Sequence, residues 1–371
     1  MQLPAWNRAV LKVGSNLIAP EGRGLSTRHL LGIARAVAEL RAAGREIVVV
    51  SSGAVAAGLA LLKRSAADGR SIVARQALAA LGQPKVLELW SKLLDVPCAQ
   101  VLLAYDDLQN RRRFNNARNT LRELLAQGVL PVVNENDSVA VDELRVGDND
   151  NLAAHVAVLV EADLLLVLSD VAGLYDADPR ANPQARLLES VERIDEAVLA
   201  LAGGAGSAVG TGGMRTKLEA AQKATARGIT AAIVNGRDDA ALSALARGEV
   251  RGTLFRAERA ALSAKDHWLR HALVANGSLV VDAGAARALR ERGASLLPAG
   301  VVEVRGGFHA GDAVDVLLGA DGAAPAIAKG IAQYDAAELR RLRGRPTSEI
   351  ESLLGYAGPE CAIHRDDLVL L

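Results

Sequence analysis

The chain of 371 residues is poor in aromatic residues and carries no excess of charge of either sign. Aromatic side chains make up 3% of the sequence, whereas hydrophobic residues together make up 50%, so we predict a large aliphatic core. The 43 Lys and Arg residues are balanced by 43 Asp and Glu residues. A net charge of zero argues against nucleic acid or an anionic membrane as the main partner.

Cysteine is also scarce. Cys98 and Cys361 are far apart, and each lies in an apolar run, so we predict reduced, buried thiols. Neither has the spacing of a metal site, and the six histidines form no metal-like cluster. The N-terminus has no signal-peptide pattern, and no apolar run approaches the roughly 18 residues of a membrane helix. We therefore expect a soluble, cytoplasmic protein with no membrane partner.

Short aliphatic runs alternate with helical patterns up to about Phe255. The runs are continuous, which is typical of strands buried on both faces. The predicted strands are Ala9–Val13, Glu46–Ser51, Gln100–Leu103, Val129–Val133, Leu164–Ser169 and Ala231–Val234. Helices are predicted between them at 26–43, 115–127, 149–160 and 214–227, the first with Ser26 as N-cap and Gly44 as its stop. This alternation predicts an α/β fold, a three-layer αβα sandwich with a mainly parallel sheet.

The pattern changes after about Asp266, where short apolar runs are separated by many glycines. Such a pattern predicts a small β-rich domain. At roughly 100–200 residues per domain, a chain of this length is expected to hold two or three domains. We predict an α/β domain at 1–257, a linker at 258–275 with helical character over 257–271, and a β-rich domain at 276–371.

A glycine-rich segment, GTGGMRTK at 210–217, runs into a predicted helix start and places Lys217 in the first turn. A lysine there has the wrong sign for the positive end of the helix dipole. A phosphate held between backbone N–H groups and the lysine explains both features. Taken alone, a flexible loop with a solvated lysine explains them equally well. The segment is not a Walker A loop, because it lacks that loop's spacing.

Polar residues directly follow several predicted strands, at the edge where parallel sheets bind ligands. Lys12–Ser15 offers a cation and a glycine to an anion, although an exposed lysine at a strand end is the simpler interpretation. Ser51–Gly53 offers two hydroxyls, of which helix capping explains one. Ser169–Tyr175 fits a nucleotide-binding turn or a plain strand–helix turn.

Amides and carboxylates are densest in Asn134–Ser138 and Gly147–Asn151. Helix capping accounts for Asp148 or Asn149 but not for the rest, and the cluster suits recognition of a small charged molecule. Two lysines, an anion loop and aspartates form a set suited to phosphoryl transfer, which needs charge neutralisation and positioning more than a covalent catalyst. With a carboxylate as acceptor, two anions must approach, so cations on both sides of the transferred group are expected.

In this order, these segments resemble the amino-acid kinase family. The resemblance is carried by KVGSN (12–16), VVSSGAVAAG (49–58), PVVNENDSVA (131–140), VGDNDNLAA (146–154), LSDVAGLYDADPR (168–180) and GTGGMRTK (210–217). The NENDSVA and VGDNDN pair resembles the branch that phosphorylates the γ-carboxylate of L-glutamate to L-glutamyl 5-phosphate, at the start of proline biosynthesis. ERGASLLPAGV and HRDDLVLL resemble the PUA domain, so the resemblance covers essentially the whole chain.

The resemblance implies a role for each matching residue. Lys12 and Lys217 are implied to stabilise the transferring phosphoryl group, with Asp150 orienting both. Glutamate binding is implied for Ser52, Asp137 and Asn149. ATP binding is implied for Lys12, Ser169, Asp170, Thr211, Gly212, Gly213, Met214, Arg215, Thr216 and Lys217. Mg²⁺ is implied to be carried with ATP, largely through water and without direct protein ligands.

Partners also follow from the resemblance. The product is a labile acyl phosphate, which implies a functional link to a glutamyl phosphate reductase. Feedback inhibition by proline and a homo-oligomer, a dimer or a tetramer, are further expectations. Three residues depart from the family pattern: Asn16 stands where serine is common, Ser169 where threonine is common, and Arg215 where a small residue is common.

Two other functions remain open from the sequence. One is an RNA-binding protein on a kinase-like scaffold, since PUA domains occur in RNA-modifying proteins. Residues 276–371 carry 10 basic and 13 acidic side chains, a net charge of −3, which argues against RNA binding. The few aromatics there that could stack on bases are Phe308, Tyr334 and Tyr356. The other is a carboxylate kinase of the same fold that acts on aspartate or an N-acylated amino acid.

Overall fold

The computed structural model describes residues 1–22, 24–65, 71–139, 149–179, 181–202, 213–258, 269, 273–319 and 325–371. The chain forms two units, Met1–Leu262 and Ser263–Leu371. Most of the predicted linker lies outside the described residues, so its helical character stays a prediction. Among the described residues, no helix combines the length and the apolar character needed to cross a bilayer.

One eight-stranded sheet organises the first unit. Its strands are β1 (Arg8–Val13), β2 (Glu46–Ser51), β3 (Cys98–Leu103), β4 (Leu130–Glu135), β5 (Leu164–Ser169), β6 (Ser190–Val191), β7 (Thr230–Asn235) and β8 (Gly252–Phe255). They lie in the order β3-β4-β2-β1-β5-β7-β8-β6, and neighbouring strands are parallel except β7 and β8. The six predicted strands are confirmed with small shifts at their ends. The short strands β6, at the edge of the sheet, and β8, beside it, were not predicted.

Helices cover both faces of this sheet. They are α1 (Ser15–Ile18), α2 (Leu30–Ala42), α3 (Ala54–Leu61), α4 (Ile72–Leu93), α5 (Tyr105–Gln109), α6 (Arg111–Ala126), α7 (Asn149–Leu159), α8 (Glu196–Ala200), α9 (Met214–Thr225) and α10 (Asp239–Ala246). Leu11 and Val13 of β1 belong to the core formed with α2, α4 and α10, whereas Val10 belongs to the core formed with α6, α7 and α9. The predicted three-layer αβα sandwich is therefore confirmed.

The ends of the predicted helices need one correction. Helix α2 begins at Leu30, so Ser26 is not its N-cap. Ser26 Oγ instead accepts a hydrogen bond from the backbone N–H of Arg28 at 3.2 Å, within the turn that precedes the helix. Gly44, with φ of +80°, follows the end of α2 as predicted. Helices α7 and α9 begin at the predicted residues, and α6 begins earlier, at Arg111.

Helix α4 was not predicted, although it has 22 residues. Pro84 lies inside it, and a proline removes the hydrogen bond to the carbonyl four residues earlier, that of Ala80. Both Pro84 and Ala80 are exposed, so water can solvate this carbonyl. The buried face of α4 carries Gly82, where an added Cβ would lie 2.6 Å from the backbone nitrogen of Gly58 in α3. The close approach of α3 and α4 therefore depends on glycine.

The second unit contains a five-stranded sheet in the order β10-β9-β11-β12-β13. Its strands are β9 (Gly277–Val281), β10 (Val301–Gly306), β11 (Ala313–Leu318), β12 (Ala326–Ala332) and β13 (Ile363–Leu370). Its helices are α11 (Ala283–Arg292), α12 (Ala336–Leu342) and α13 (Ile350–Leu354). The predicted β-rich domain is confirmed. Phe308 and Tyr334 are buried in its core, so of the three aromatics that could stack on bases only Tyr356 is exposed.

Both cysteines are free thiols. Cys361 is buried as predicted, but Cys98 is only half-buried, so the prediction of two buried thiols is wrong for Cys98. Burial raises the pKa of each thiol above its ordinary value.

Candidate active site

A buried cluster of three charges lies where β1, α7 and α9 meet. Asp150, the second residue of α7, has no exposed surface. Its Oδ1 lies 2.5 Å from Lys12 Nζ and its Oδ2 lies 3.1 Å from Lys217 Nζ. Lys12 is 4% exposed and Lys217 is 7% exposed, so the interpretation of either as a solvated lysine is wrong. The structure thus brings together two lysines that are 205 positions apart in numbering around one carboxylate.

Strand alternation explains why Lys12 reaches this cluster. Side chains two residues apart on a strand lie on the same face, so Lys12 shares the face of Val10. Val10 belongs to the core formed with α7 and α9, the helices that carry Asp150 and Lys217. Lys12 is therefore directed to the same layer as its two partners.

The charges of the cluster determine the protonation of Asp150. Burial alone would raise the pKa of this carboxyl, but the charges of Lys12 and Lys217 and their hydrogen bonds outweigh it and lower the pKa to about 2. Asp150 is therefore ionised at neutral pH. Two ammonium groups against one carboxylate leave a net charge of +1, which favours the approach of an anion.

The first turn of α9 adds polar groups beside the lysines. Gly213 is the N-cap, and Thr216 Oγ1 lies 3.0 Å from Asp150 Oδ2 and 2.9 Å from Gly213 O. Arg215 Nε donates to Glu219 Oε1 at 2.8 Å on an exposed part of the helix. Met214 opens the helix. Two residues of the predicted ATP loop, Thr211 and Gly212, lie outside the described residues.

A chain of amides runs beside the charge cluster. Asn149 Nδ2 donates to Ser52 Oγ at 2.7 Å and to Asn134 Oδ1 at 2.8 Å. Asn134 Nδ2 in turn donates to Gln83 Oε1 at 2.8 Å. The structure thus joins two of the predicted glutamate-binding residues directly. The third, Asp137, lies half-buried in the turn that follows β4.

Ser169 and Asp170 lie at the end of β5, next to β1 in the sheet. Asp170 Oδ2 accepts from Asn16 Nδ2 at 3.0 Å, and Asp170 Oδ1 accepts from Ser169 Oγ at 3.3 Å. Arg237, after β7, is 3.7 Å from Asp170. Burial alone would raise the pKa of Asp170, but the hydrogen bond from Asn16, its backbone hydrogen bond, Arg237 and Ser169 together lower it. Asn16, which departs from the family pattern, therefore holds a predicted ATP-binding residue.

Both units of the chain match known protein families. The sequence model of the amino acid kinase family matches residues 7–235, which include Lys12, Asp150 and Lys217. The chain belongs to the amino acid kinase family. A PUA domain model matches residues 277–354 of this amino acid kinase, within its second unit.

Relatives of this amino acid kinase cover nearly its whole length. "Glutamate 5-kinase" of Salinibacter ruber is 56% identical over 99% of this chain and 98% of its own. "Glutamate 5-kinase" of Xanthomonas oryzae pv. oryzae is also 56% identical, over 98% of this chain and 100% of its own. Among solved structures, UMP kinase of Bacillus anthracis is similar with a TM-score of 0.49 and 16% identity, covering 69% of this chain and 98% of that one.

Sequence reasoning did not assign three residues that the structure of this amino acid kinase places at the site. Asn134 is a buried residue of β4 that directly follows the apolar residues Leu130–Val133, and that position was a usable signal. Gln83 lies on the buried face of α4 between Ala79 and Val86, so a polar residue in an apolar helix stripe was the signal there. Arg237 follows β7 as the other polar residues follow their strands.

Proposed function

We propose that this chain transfers the γ-phosphoryl group of ATP to the γ-carboxylate of L-glutamate, giving ADP and L-glutamyl 5-phosphate, the first step of proline biosynthesis. The single observation that carries this proposal is the buried cluster of Lys12, Asp150 and Lys217, with its net positive charge. Relatives named glutamate 5-kinase, more than half identical over nearly the whole chain, support the same reaction.

The reaction itself explains why the site needs two cations. A γ-carboxylate oxygen of glutamate forms a bond to the γ-phosphorus of ATP, and the bond from that phosphorus to the β–γ bridging oxygen breaks. The acceptor is already ionised, so no general base is required. The carboxylate and the triphosphate repel each other, and Lys12 and Lys217 would offset that repulsion and stabilise the charge on the transferred group.

Asp150 is suited to holding the lysines rather than to moving a proton. Its pKa of about 2 keeps it ionised, and each of its oxygens lies against a different ammonium group. A carboxylate in this position fixes the two Nζ atoms in place, and such pre-organisation is the larger part of catalysis in phosphoryl transfer. We therefore assign Asp150 an orienting role.

The remaining predicted residues divide between the two substrates. We propose that glutamate is bound by Ser52 and Asn149, which are hydrogen-bonded to each other, and by Asp137 in the turn after β4. We propose that ATP is bound by Lys12, Ser169, Asp170 and the segment 211–217. Two hydrogen bonds support this division, the one between Asn149 and Ser52 and the one between Asn16 and Asp170. Ser52 follows β2 and Asp170 follows β5, the two strands that flank β1 and its Lys12.

Mg²⁺ would accompany the ATP phosphates and offset part of their charge. Among the residues that the structure describes, no three His, Cys, Asp or Glu side chains cluster in a way that could hold a metal. The ligands of Mg²⁺ would be phosphate oxygens of ATP and water molecules, because Mg²⁺ retains much of its hydration shell.

The product chemistry suggests a reaction partner. An acyl phosphate hydrolyses readily, so we propose that a glutamyl phosphate reductase consumes it. Proline as a feedback inhibitor and a homo-oligomeric assembly also belong to this proposal, on the strength of the family resemblance.

A hydroxamate assay tests the function. Hydroxylamine traps an acyl phosphate as a coloured hydroxamate, and the assay compares L-glutamate, L-aspartate and N-acetyl-L-glutamate with ATP and Mg²⁺. We expect signal with glutamate alone. Signal with another acid would retain the reaction class and overturn the substrate. No signal with any of the three acids, from folded protein that binds ATP, would contradict the kinase function and favour the RNA-binding alternative.

A further inference from the structure

The amide chain has a direction, which is given by the donor and acceptor atoms of its hydrogen bonds. Asn149 Nδ2 carries two hydrogens and lies within hydrogen-bond distance of two acceptors, Ser52 Oγ and Asn134 Oδ1. With both hydrogens donated, Asn149 Oδ1 is left as an acceptor. Because Ser52 Oγ accepts from Asn149, the hydroxyl hydrogen of Ser52 is left to donate.

One donor and one acceptor match the two charged groups of an amino acid. The hydroxyl of Ser52 suits a carboxylate, which only accepts hydrogen bonds. The carbonyl oxygen of Asn149 suits an ammonium group, which only donates them. If the Asn149 amide turned by half a rotation, its nitrogen would take the place of that oxygen and repel an ammonium group. The preference for a free amino group therefore depends on which way this amide points.

Gln83 is the last residue of the amide chain. Asn134 can offer Oδ1 to Asn149 because its Nδ2 is donated to Gln83 Oε1, so the three amides must turn together or not at all. Gln83 is 6% exposed, and its Nε2 has no hydrogen-bond partner within the described part of the chain. In this arrangement Gln83 contributes an acceptor to Asn134, and Asn134 in turn contributes an acceptor to Asn149.

We propose that Gln83 is a positioning residue for substrate selection. Through Asn134 it would hold Asn149 with its carbonyl oxygen toward the α-ammonium group of glutamate, so that acids without a free ammonium group bind less well. This inference rests on the proposed function, because it assumes that glutamate is the acceptor.

The test compares glutamate with glutarate, which has the same carbon chain and both carboxylates but no amino group. The assay measures KM for glutamate and the inhibition constant of glutarate against it. In Gln83→Met, which has a similar volume but no acceptor oxygen facing Asn134, we expect KM for glutamate to rise about tenfold, the typical effect of losing a hydrogen bond to a charged group. The inhibition constant of glutarate and KM for ATP should change by less than about twofold, since neither ligand needs the oriented Asn149 oxygen.

Two further variants sharpen the result. Gln83→Glu keeps an oxygen facing Asn134 and removes Nε2, so it should retain the glutamate preference of the wild type. Gln100→Met is the matched control, because Gln100 is a partly buried amide on β3 that does not belong to the chain of hydrogen-bonded amides. It should leave both constants unchanged. Thermal unfolding of each variant verifies that it is folded, and if Gln83→Glu is not folded, the Met variant decides alone.

The outcomes separate this inference from the proposed function. A wild type that forms no acyl phosphate from glutamate overturns the function itself. A functional wild type with Gln83→Met unchanged, or with glutamate and glutarate weakened equally, overturns the role of Gln83 alone. A loss of selectivity in Gln83→Glu equal to that in Gln83→Met would mean that Gln83 acts as a donor, and the proposed direction of the chain would be wrong.

Discussion

Replacing Asp150 by asparagine should destabilise the fold, because it removes the carboxylate that compensates the buried charges of Lys12 and Lys217. Lys12 and Lys217, which are 4% and 7% exposed, share this single fully buried carboxylate. The substitution raises the charge of the three groups from +1 to +2 without changing the size of the side chain. Removing one partner of a buried ion pair costs about 3–5 kcal/mol. For a domain of this size, each kcal/mol lowers Tm by about 2–4 °C, so we expect a decrease of roughly 10 °C.

Scanning calorimetry measures the decrease, and the chain offers a matched control. Glu88 is also a carboxylate between two lysines, 2.8 Å from Lys85 Nζ and 2.5 Å from Lys92 Nζ. All three side chains are at least 41% exposed, so water and salt screen their charges. Glu88→Gln should therefore leave Tm unchanged. Equal effects of Asp150→Asn and Glu88→Gln would contradict the argument from burial.

The stabilisation by ATP is a second measure of the excess positive charge in Asp150→Asn. Mg²⁺–ATP added without glutamate brings phosphate charge to the two lysines, and a ligand that binds only the folded state raises Tm. Because Asp150→Asn has one more uncompensated positive charge, the rise in Tm on adding ATP should be larger in the variant than in the wild type. If Tm of the variant lies within about 2 °C of wild type and ATP adds no extra stabilisation, the reasoning is refuted.

The pH dependence of Tm also reports the contribution of ionised Asp150 to stability. The pKa of Asp150 is lowered from its ordinary value of 3.8 to about 2 in the folded protein. A depressed pKa means that the ion pair contributes its full stability above about pH 4 and loses it as the pH falls through about 2. The difference in Tm between wild type and Asp150→Asn should therefore shrink over this range, as measured in a pH series by calorimetry.

Two further predictions concern catalysis and packing. Lys217→Ala should lower kcat in the hydroxamate assay about 100-fold or more, because it removes a cation from the transferring phosphoryl group, while exposed Lys92→Ala should leave kcat unchanged. Near-normal turnover in Lys217→Ala would contradict the mechanism. Gly82→Ala should lower the free energy of unfolding by about 1–3 kcal/mol, because the new Cβ would overlap the backbone oxygen of Ala54. Urea unfolding measures this, with Gly307→Ala as control, where a Cβ meets no atom within 4 Å.

The central sheet could be predicted because its strands are buried on both faces. Such strands appear in the sequence as continuous aliphatic runs, as in Leu164–Ser169, where every residue is buried. The order of the strands did not follow from these runs. Strands β6 and β8 were not predicted because two and four residues are too few to show a pattern.

The charged part of the site could be predicted for a related reason. Parallel strands gather their carboxyl ends at one edge, so polar residues directly after apolar runs are candidates for the same site. Lys12 was found in this way, and the glycines before α9 pointed to Lys217. Their meeting on Asp150 came from the family resemblance, because spacing alone cannot say that residues 12, 150 and 217 are in contact.

Gln83 could not be predicted by the same reasoning, because it lies in the middle of a helix and not at a strand end. Its contact with Asn134 spans 51 positions and depends on how closely α4 approaches the sheet and α3. The approach of α4 to α3 depends on Gly82, which packs against Ala54 and Gly58. Pro84, which directly follows Gln83, interrupts the helical pattern in the sequence. A residue placed by the packing of two helices leaves little trace in the local sequence.

Reaction class and substrate preference therefore rest on different kinds of information. A lysine carries its charge in any orientation, so the residue types alone indicated chemistry on a phosphoryl group. An amide has an oxygen on one side and a nitrogen on the other, and only its partners decide which of them faces the substrate. In our proposal the orientation of Asn149 is held by Asn134, and the orientation of Asn134 is held by Gln83. The proposed preference for a free amino group is thus a property of the three hydrogen-bonded amides, which meet only once α4 is packed against the sheet.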